Sequence, residues 1–188
     1  MRAVTSTYAW PARLLHWLMA LLLVGLVALG FYLSSLPFSP RRLQLVAWHK
    51  WAGVTVFALV LVRLAWRLTH PPPPLPSGTA LLVRRMAALA HWLLYALMFL
   101  MPVSGWLMSS AKGVPTVWFG LLRLPDLVAR DKALGDALHA VHETLAWSLC
   151  GLVALHVAAA LKHHFIDRDG LLLRMWPRES TDPRRTTA

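Results

Sequence analysis

Long runs almost without charge dominate this chain. Four of them, Leu14 to Leu33, Leu45 to Val62, Met86 to Met108 and Ala137 to Leu161, are each long enough to cross about 30 Å of hydrocarbon as an α-helix. With flanking residues included, the pattern predicts helices at about 11–34, 44–68, 85–109 and 136–165. A helix satisfies its own backbone donors and acceptors, which a lipid interior requires. The expected fold class is therefore all-α, a single integral membrane four-helix bundle spanning residues 1–188. The first run exceeds a signal-peptide core and carries no cleavage signature, so it is expected to be retained as a helix. Between the second and third runs, His70 to Gly78 holds five prolines in nine residues. Proline removes amide donors and forbids helix, so this is a stiff connection between two hairpins.

Composition agrees with the pattern. Hydrophobic residues make up 57% of the chain and charged residues 14%, too apolar for an ordinary soluble domain. The formal charge of +11 does not mark a nucleic-acid binder, because the basic residues sit between apolar runs rather than on a motif-bearing soluble segment. They report topology instead. Arg2, Arg13, Arg63, Arg67, Arg84, Arg85, Lys162, Arg168, Arg174, Arg178, Arg184 and Arg185 fall on one side, twelve in all. Arg41, Arg42, Lys50, Lys112, Arg123, Arg130 and Lys132 fall on the other, seven in all, diluted by Asp126, Asp131, Asp136 and Glu143. The positive-inside rule then places both termini in the cytoplasm. Thr116 to Leu124, with Trp118 and Phe119, is an aromatic stretch suited to lie at the outer interface and cap the bundle. The single cysteine, Cys150, excludes a disulfide, a zinc cluster and a covalent C-x-x-C-H haem site.

Every one of the four spans contains histidine, and an ionisable residue inside a span is costly enough to be a functional candidate. His142 and His156 are fourteen residues apart, which returns to within about 40° of one helix face and separates them by about 21 Å. His139 lies about 100° off that face and reads as interfacial. Depth pairs His16 with His156 near the cytoplasmic leaflet and His49 with His142 near the outer one. Two imidazoles without a neighbouring carboxylate or cysteine suit haem iron, whereas catalytic zinc takes a third protein ligand. The expectation is two b-type haems within the bundle. Gly53 and Ala146, one turn after His49 and His142, leave space for a flat macrocycle. A lone membrane histidine usually bridges helices by hydrogen bonding; four that pair by depth favour ligation.

The sequences L-L-H-W-L at His16, W-H-K-W-A-G at His49, H-E-T-L-A at His142 and A-L-H-V-A-A-A-L-K-H-H from Leu155 to His164 resemble the bacterial cytochrome b561 family. The ending D-G-L-L-L-R-M-W-P-R, Asp169 to Arg178, does so too. The resemblance implies a di-haem b cytochrome of the bacterial inner membrane with His16, His49, His142 and His156 as iron ligands. Its most similar members are superoxide oxidases, which implies oxidation of superoxide to dioxygen with electrons passed to ubiquinone. In that reading the outer cations, Arg41 to Lys132, steer the superoxide anion. His91, His163 and His164 are the candidates for contacts to quinone or haem propionates, with Arg63, Arg67, Arg84 and Arg85 as further propionate partners.

Two other functions fit the same sequence. One is an electron-relay subunit for a hydrogenase or another dehydrogenase, docking a redox partner protein. The other is a transporter with histidines lining a path, against which stands the absence of an inverted repeat in the sequence.

Overall fold

The computed structural model describes residues 7–75 and 78–176. Four long helices, each apolar enough to cross a membrane, form the bundle: α1 (Trp10–Ser35), α2 (Pro40–Thr69), α3 (Leu81–Ala111) and α4 (Lys132–Lys162).

Local chemistry sets their ends. Leu36 precedes Pro37 and adopts φ −86°, ψ 136°, because the proline ring disfavours helical backbone in the residue before it. Ser39 then caps α2 by accepting from the Arg42 amide, and Pro40 occupies the first turn, where its missing N–H costs nothing. The helix therefore begins at Pro40 rather than at 44. His70 is extended ahead of the prolines (φ −128°, ψ 90°), and its ring stacks on Trp66 at 3.8 Å. Within the proline segment, Pro76 and Ser77 lie outside the described residues, as do Arg2, Arg178, Arg184 and Arg185 of the charge count. Asp131 caps α4 by accepting from the Leu134 amide, so that this helix also starts before the expected 136. Its end is not regular α-helix: His163–Asp167 form a single π turn, and Arg168 leaves it at φ 51°.

The buried core is small and central. Met19, Val56, Val60, Leu94, Tyr95, Met98 and Leu149 bring all four helices together, and Leu149 stands midway along the sequence between His142 and His156. Large apolar side chains such as Leu21, Val24, Trp147 and Leu155 are exposed instead. That inverted surface suits lipid, where apolar side chains need no burial and packing holds helices together.

Each end of the bundle carries a cover. On the face where the described residues begin and end, the terminal face, a short 3₁₀ turn (Leu172–Arg174) lies across the start of α1. Trp17 Nε1 donates to the Met175 carbonyl at 2.8 Å, Arg13 donates to the Trp176 carbonyl at 3.0 Å, and Arg174 donates to the Pro74 carbonyl at 2.6 Å. On the opposite, loop face the aromatic stretch forms a hairpin, β1 (Val117–Trp118) paired antiparallel with β2 (Leu122–Arg123). Phe119 and Gly120 both turn through positive φ, 49° and 74°. Trp51 Nε1 donates to the Val117 carbonyl at 2.6 Å, and Trp118 Nε1 donates to Thr55 Oγ1 at 3.2 Å. Lys50 reaches the Val114 carbonyl at 3.1 Å. These bonds latch the hairpin to α2 and close the loop face.

Candidate functional site

Two clusters of imidazoles occupy opposite ends of α4. Near the loop face, the His49 and His142 rings lie 6.4 Å apart at 74°. Near the terminal face, the His16 and His156 rings lie 6.3 Å apart at 70°. Two imidazoles on opposite sides of one metal ion, each with its nitrogen about 2 Å from the metal and its ring centre about 1.1 Å further back, have ring centres about 6.2 Å apart. Both pairs fit that spacing. The donor sets fit haem as well: two imidazoles suit haem iron, and among the described residues no third His, Cys, Asp or Glu donor closes on either pair as a three-ligand cluster.

The loop-face pair is packed on glycines of other helices. A Cβ at Gly30 of α1 stands 3.7 Å from His49 Cε1, and one at Gly105 of α3 stands 3.2 Å from His142 Cε1. The glycines touching imidazole thus come from the neighbouring helices, not from one turn further along the same helix. Gly53 has a different property: among the described residues a Cβ there meets nothing within 4 Å, a face with room for a flat group. Ser104, only 5% exposed, lies 2.9 Å from His142 Nδ1 and donates to the Met101 carbonyl at 2.8 Å. His49 Nδ1 is buried and has no hydrogen-bond partner among the described residues, an orphaned atom within a pair spaced for a metal.

The terminal-face pair has polar company. His91 of α3 lies 5.5 Å from His156, making a group of three. Its Nδ1–H donates to the Ala87 carbonyl at 2.6 Å, which leaves Nε2 with its lone pair. Arg63 of α2 approaches His16 Nδ1 at 3.4 Å, donates to Tyr95 Oη at 3.2 Å and donates to the Ala12 carbonyl at 2.9 Å. Its guanidinium therefore ties α1, α2 and α3 together beside the imidazoles. Arg63, Arg67 and Tyr95 line one recess with Tyr8 and Pro72, whereas Arg84 turns to the Thr79 carbonyl at 3.0 Å and Arg85 is exposed.

The remaining histidines are placed apart. His163 Nδ1 is bracketed by Asp169 at 2.6 Å and Asp167 at 3.2 Å, while Lys162 pairs with Asp167 at 2.6 Å. His164 packs its ring on Phe165 at 4.7 Å, and His139 is exposed. Cys150 is free and half-buried. On the loop face Arg123 faces Asp126 at 3.8 Å and Lys132 faces Asp136 at 2.7 Å, so acids offset two of the seven cations there.

Sequence reasoning did not find Ser104, Gly30 or Gly105, nor the convergence of His91 on His156. A signal was present in Pro102-Val103-Ser104-Gly105: small residues inside an apolar helix mark where a neighbour approaches closely.

Comparison with known proteins gives a consistent result. The sequence pattern of prokaryotic cytochrome b561 matches residues 7–178. Cytochrome b561 homolog 2 of Escherichia coli (strain K12) is 38% identical over 169 residues, 89% of each chain. The probable superoxide oxidase CybB of Yersinia pestis is 31% identical over 169 residues, 88% of this chain and 93% of its own. Cytochrome b561 homolog 1 of Escherichia coli (strain K12) is 30% identical over 132 residues, 69% of this chain and 73% of its own.

Proposed function

The chain belongs to the prokaryotic cytochrome b561 family, and from that membership we propose that it is a two-haem superoxide oxidase delivering electrons to ubiquinone. Family members are electron-transferring cytochromes of the inner membrane that carry haem b. The observation that carries the two-haem reading is the placement of His142 and His156 at opposite ends of α4. Each has a partner ring at the spacing of two imidazoles on one metal, 6.4 Å and 6.3 Å away.

In this reading His49 and His142 hold one haem near the loop face, and His16 and His156 hold the other near the terminal face. When bound, each haem iron supplies reversible one-electron transfer. The protein supplies orientation and charge. Ser104 and Gly105 back His142, Gly30 backs His49, and Arg63 sets a fixed positive charge beside His16. Arg63 and Arg67, which share a recess with Tyr95, are the propionate partners in preference to Arg84 and Arg85.

The twelve-to-seven excess of Lys and Arg supports a cytoplasmic terminal face. The loop face then meets the periplasm, where superoxide, an anion, is drawn by Arg41, Arg42, Lys112 and Arg130 together with the partly offset Arg123 and Lys132. The name of the Yersinia pestis relative supports the same donor. On the cytoplasmic side His91, His163 and His164 are the quinone contacts. The Nδ1 contacts of His163 with Asp169 and Asp167 hold its ring and leave Nε2 as the position for hydrogen bonding to a quinone oxygen.

The test is the reduced-minus-oxidised spectrum and haem-to-protein ratio of the purified chain, before and after mixing with superoxide and a ubiquinone analogue. Two low-spin b haems reduced by superoxide and reoxidised by quinone are expected. Two haems inert to superoxide would replace this reading with the electron-relay subunit. The steering claim has its own check: superoxide turnover is expected to slow by about half or more as salt shortens the Debye length from about 30 Å to 8 Å. A salt-independent rate constant removes it.

A further inference from the structure

The two loop-face histidines are close to equal in their ring geometry but unequal in what stands behind them. His142 Nδ1 lies 2.9 Å from Ser104 Oγ. The Ser104 hydroxyl is also within donating reach of the Met101 carbonyl, 2.8 Å away; with its proton placed there the oxygen faces His142 as an acceptor. The ligand reading requires the matching tautomer, with the lone pair on Nε2 for iron and the proton on Nδ1, where Ser104 Oγ accepts it. Ser104 is 5% exposed, so water does not compete for its oxygen. The position is also mechanically defined, because Pro102 sits inside α3 two residues earlier and a Cβ at the adjacent Gly105 is 3.2 Å from His142 Cε1. The ring is therefore held by a hydrogen bond and by the α3 surface beside it. Across the pair, His49 Nδ1 is buried without a hydrogen-bond partner among the described residues.

Resting on the ligand reading above, we infer that Ser104 is a positioning residue that makes His142 the more basic and more rigidly oriented of the two loop-face ligands and thereby lowers the reduction potential of that haem. The physical reason is that a ligating imidazole which donates its second N–H to an acceptor gains electron density at the ligating nitrogen and is fixed in orientation. A more basic ligand stabilises the ferric over the ferrous state. A low potential at the loop face favours passing electrons onward across the bundle rather than holding them.

The experiment is a redox titration of both haems in the purified full chain, with electron paramagnetic resonance of the oxidised form, for the wild type, Ser104→Ala and Ser104→Thr. Ser104→Ala is expected to keep two haems and to shift the loop-face redox equilibrium about tenfold towards the reduced form, about 59 mV for one electron. The loop-face low-spin signal moves with it while the terminal-face haem keeps its potential. Ser104→Thr, which retains an acceptor oxygen, restores the wild-type values. Loss of the loop-face haem in Ser104→Ala with recovery in Ser104→Thr also supports the positioning role. An unshifted loop-face potential and signal in Ser104→Ala overturns it, as does equal loss of that haem in both variants, which would mean that size alone matters at this position. His142→Ala is measured alongside: if it retains both haems, the ligand reading itself has failed and this inference falls with it.

Discussion

The two ends of the bundle hold imidazole pairs of nearly the same geometry in opposite surroundings. At the loop face the neighbours of His49 and His142 are Gly30, Gly105 and the neutral hydroxyl of Ser104. At the terminal face His16 and His156 share their space with a third imidazole, His91, and the guanidinium of Arg63. A fixed positive charge stabilises the state with one more electron, and in a low-dielectric interior that effect is strong. The terminal-face haem is therefore expected to have the higher potential, which makes transfer from loop face to terminal face downhill. In the two-haem reading, identical ligands would not make identical redox centres, because the side chains behind them differ.

The largest effect that can break this comparison is removal of a ligand. His142→Ala is expected to eliminate the loop-face haem and His16→Ala the terminal-face haem, each leaving about half of the haem measured per protein. If both variants lose the same haem, as read by potential and spectrum, the pairing is wrong. Next in size is Gly105→Val. Its branched side chain would enter a space where even a Cβ is 3.2 Å from His142, and overpacking costs about 1–3 kcal/mol. Loop-face haem content should fall by more than half with the terminal-face haem retained; full retention of both would show that the ring can move aside.

A sharper probe is Arg63→Leu. Loss of the guanidinium should favour the oxidised terminal-face haem about tenfold, about 59 mV for one electron, and leave the loop-face potential in place. Equal shifts at both sites would point to general loosening of the bundle rather than to local charge. The smallest effect belongs to the loop-face cover. Trp51→Phe removes the 2.6 Å bond to the Val117 carbonyl, worth about 1 kcal/mol, and should speed proteolysis within the hairpin about fivefold while both haem potentials stay fixed. No change in cleavage would mean that Lys50 and the Trp118–Thr55 bond hold the hairpin unaided.

The covers also differ in how far the sequence revealed them. Thr116 to Leu124 is readable as an interfacial aromatic cap, but its hairpin depends on positive φ at Phe119 and Gly120 and on the latch to α2. Nothing local in Leu172–Arg174 indicates that it crosses to Trp17 and the proline segment. These contacts join residues far apart in sequence, whereas periodicity reports only on neighbours.

By itself the sequence determined the four spans, the all-α bundle and which histidines share a depth. Apolar run length and the rise per residue of a helix are local quantities, and lipid leaves a spanning run few alternatives to helix. Only the tertiary structure decided the rotation of each helix about its axis. That rotation turns His91 towards His156, puts Gly30 and Gly105 against the imidazoles, aims Ser104 at His142 and brings Arg63 beside His16. The apolar faces of these helices are too uniform to encode such angles one helix at a time, so they are settled by close packing between helices.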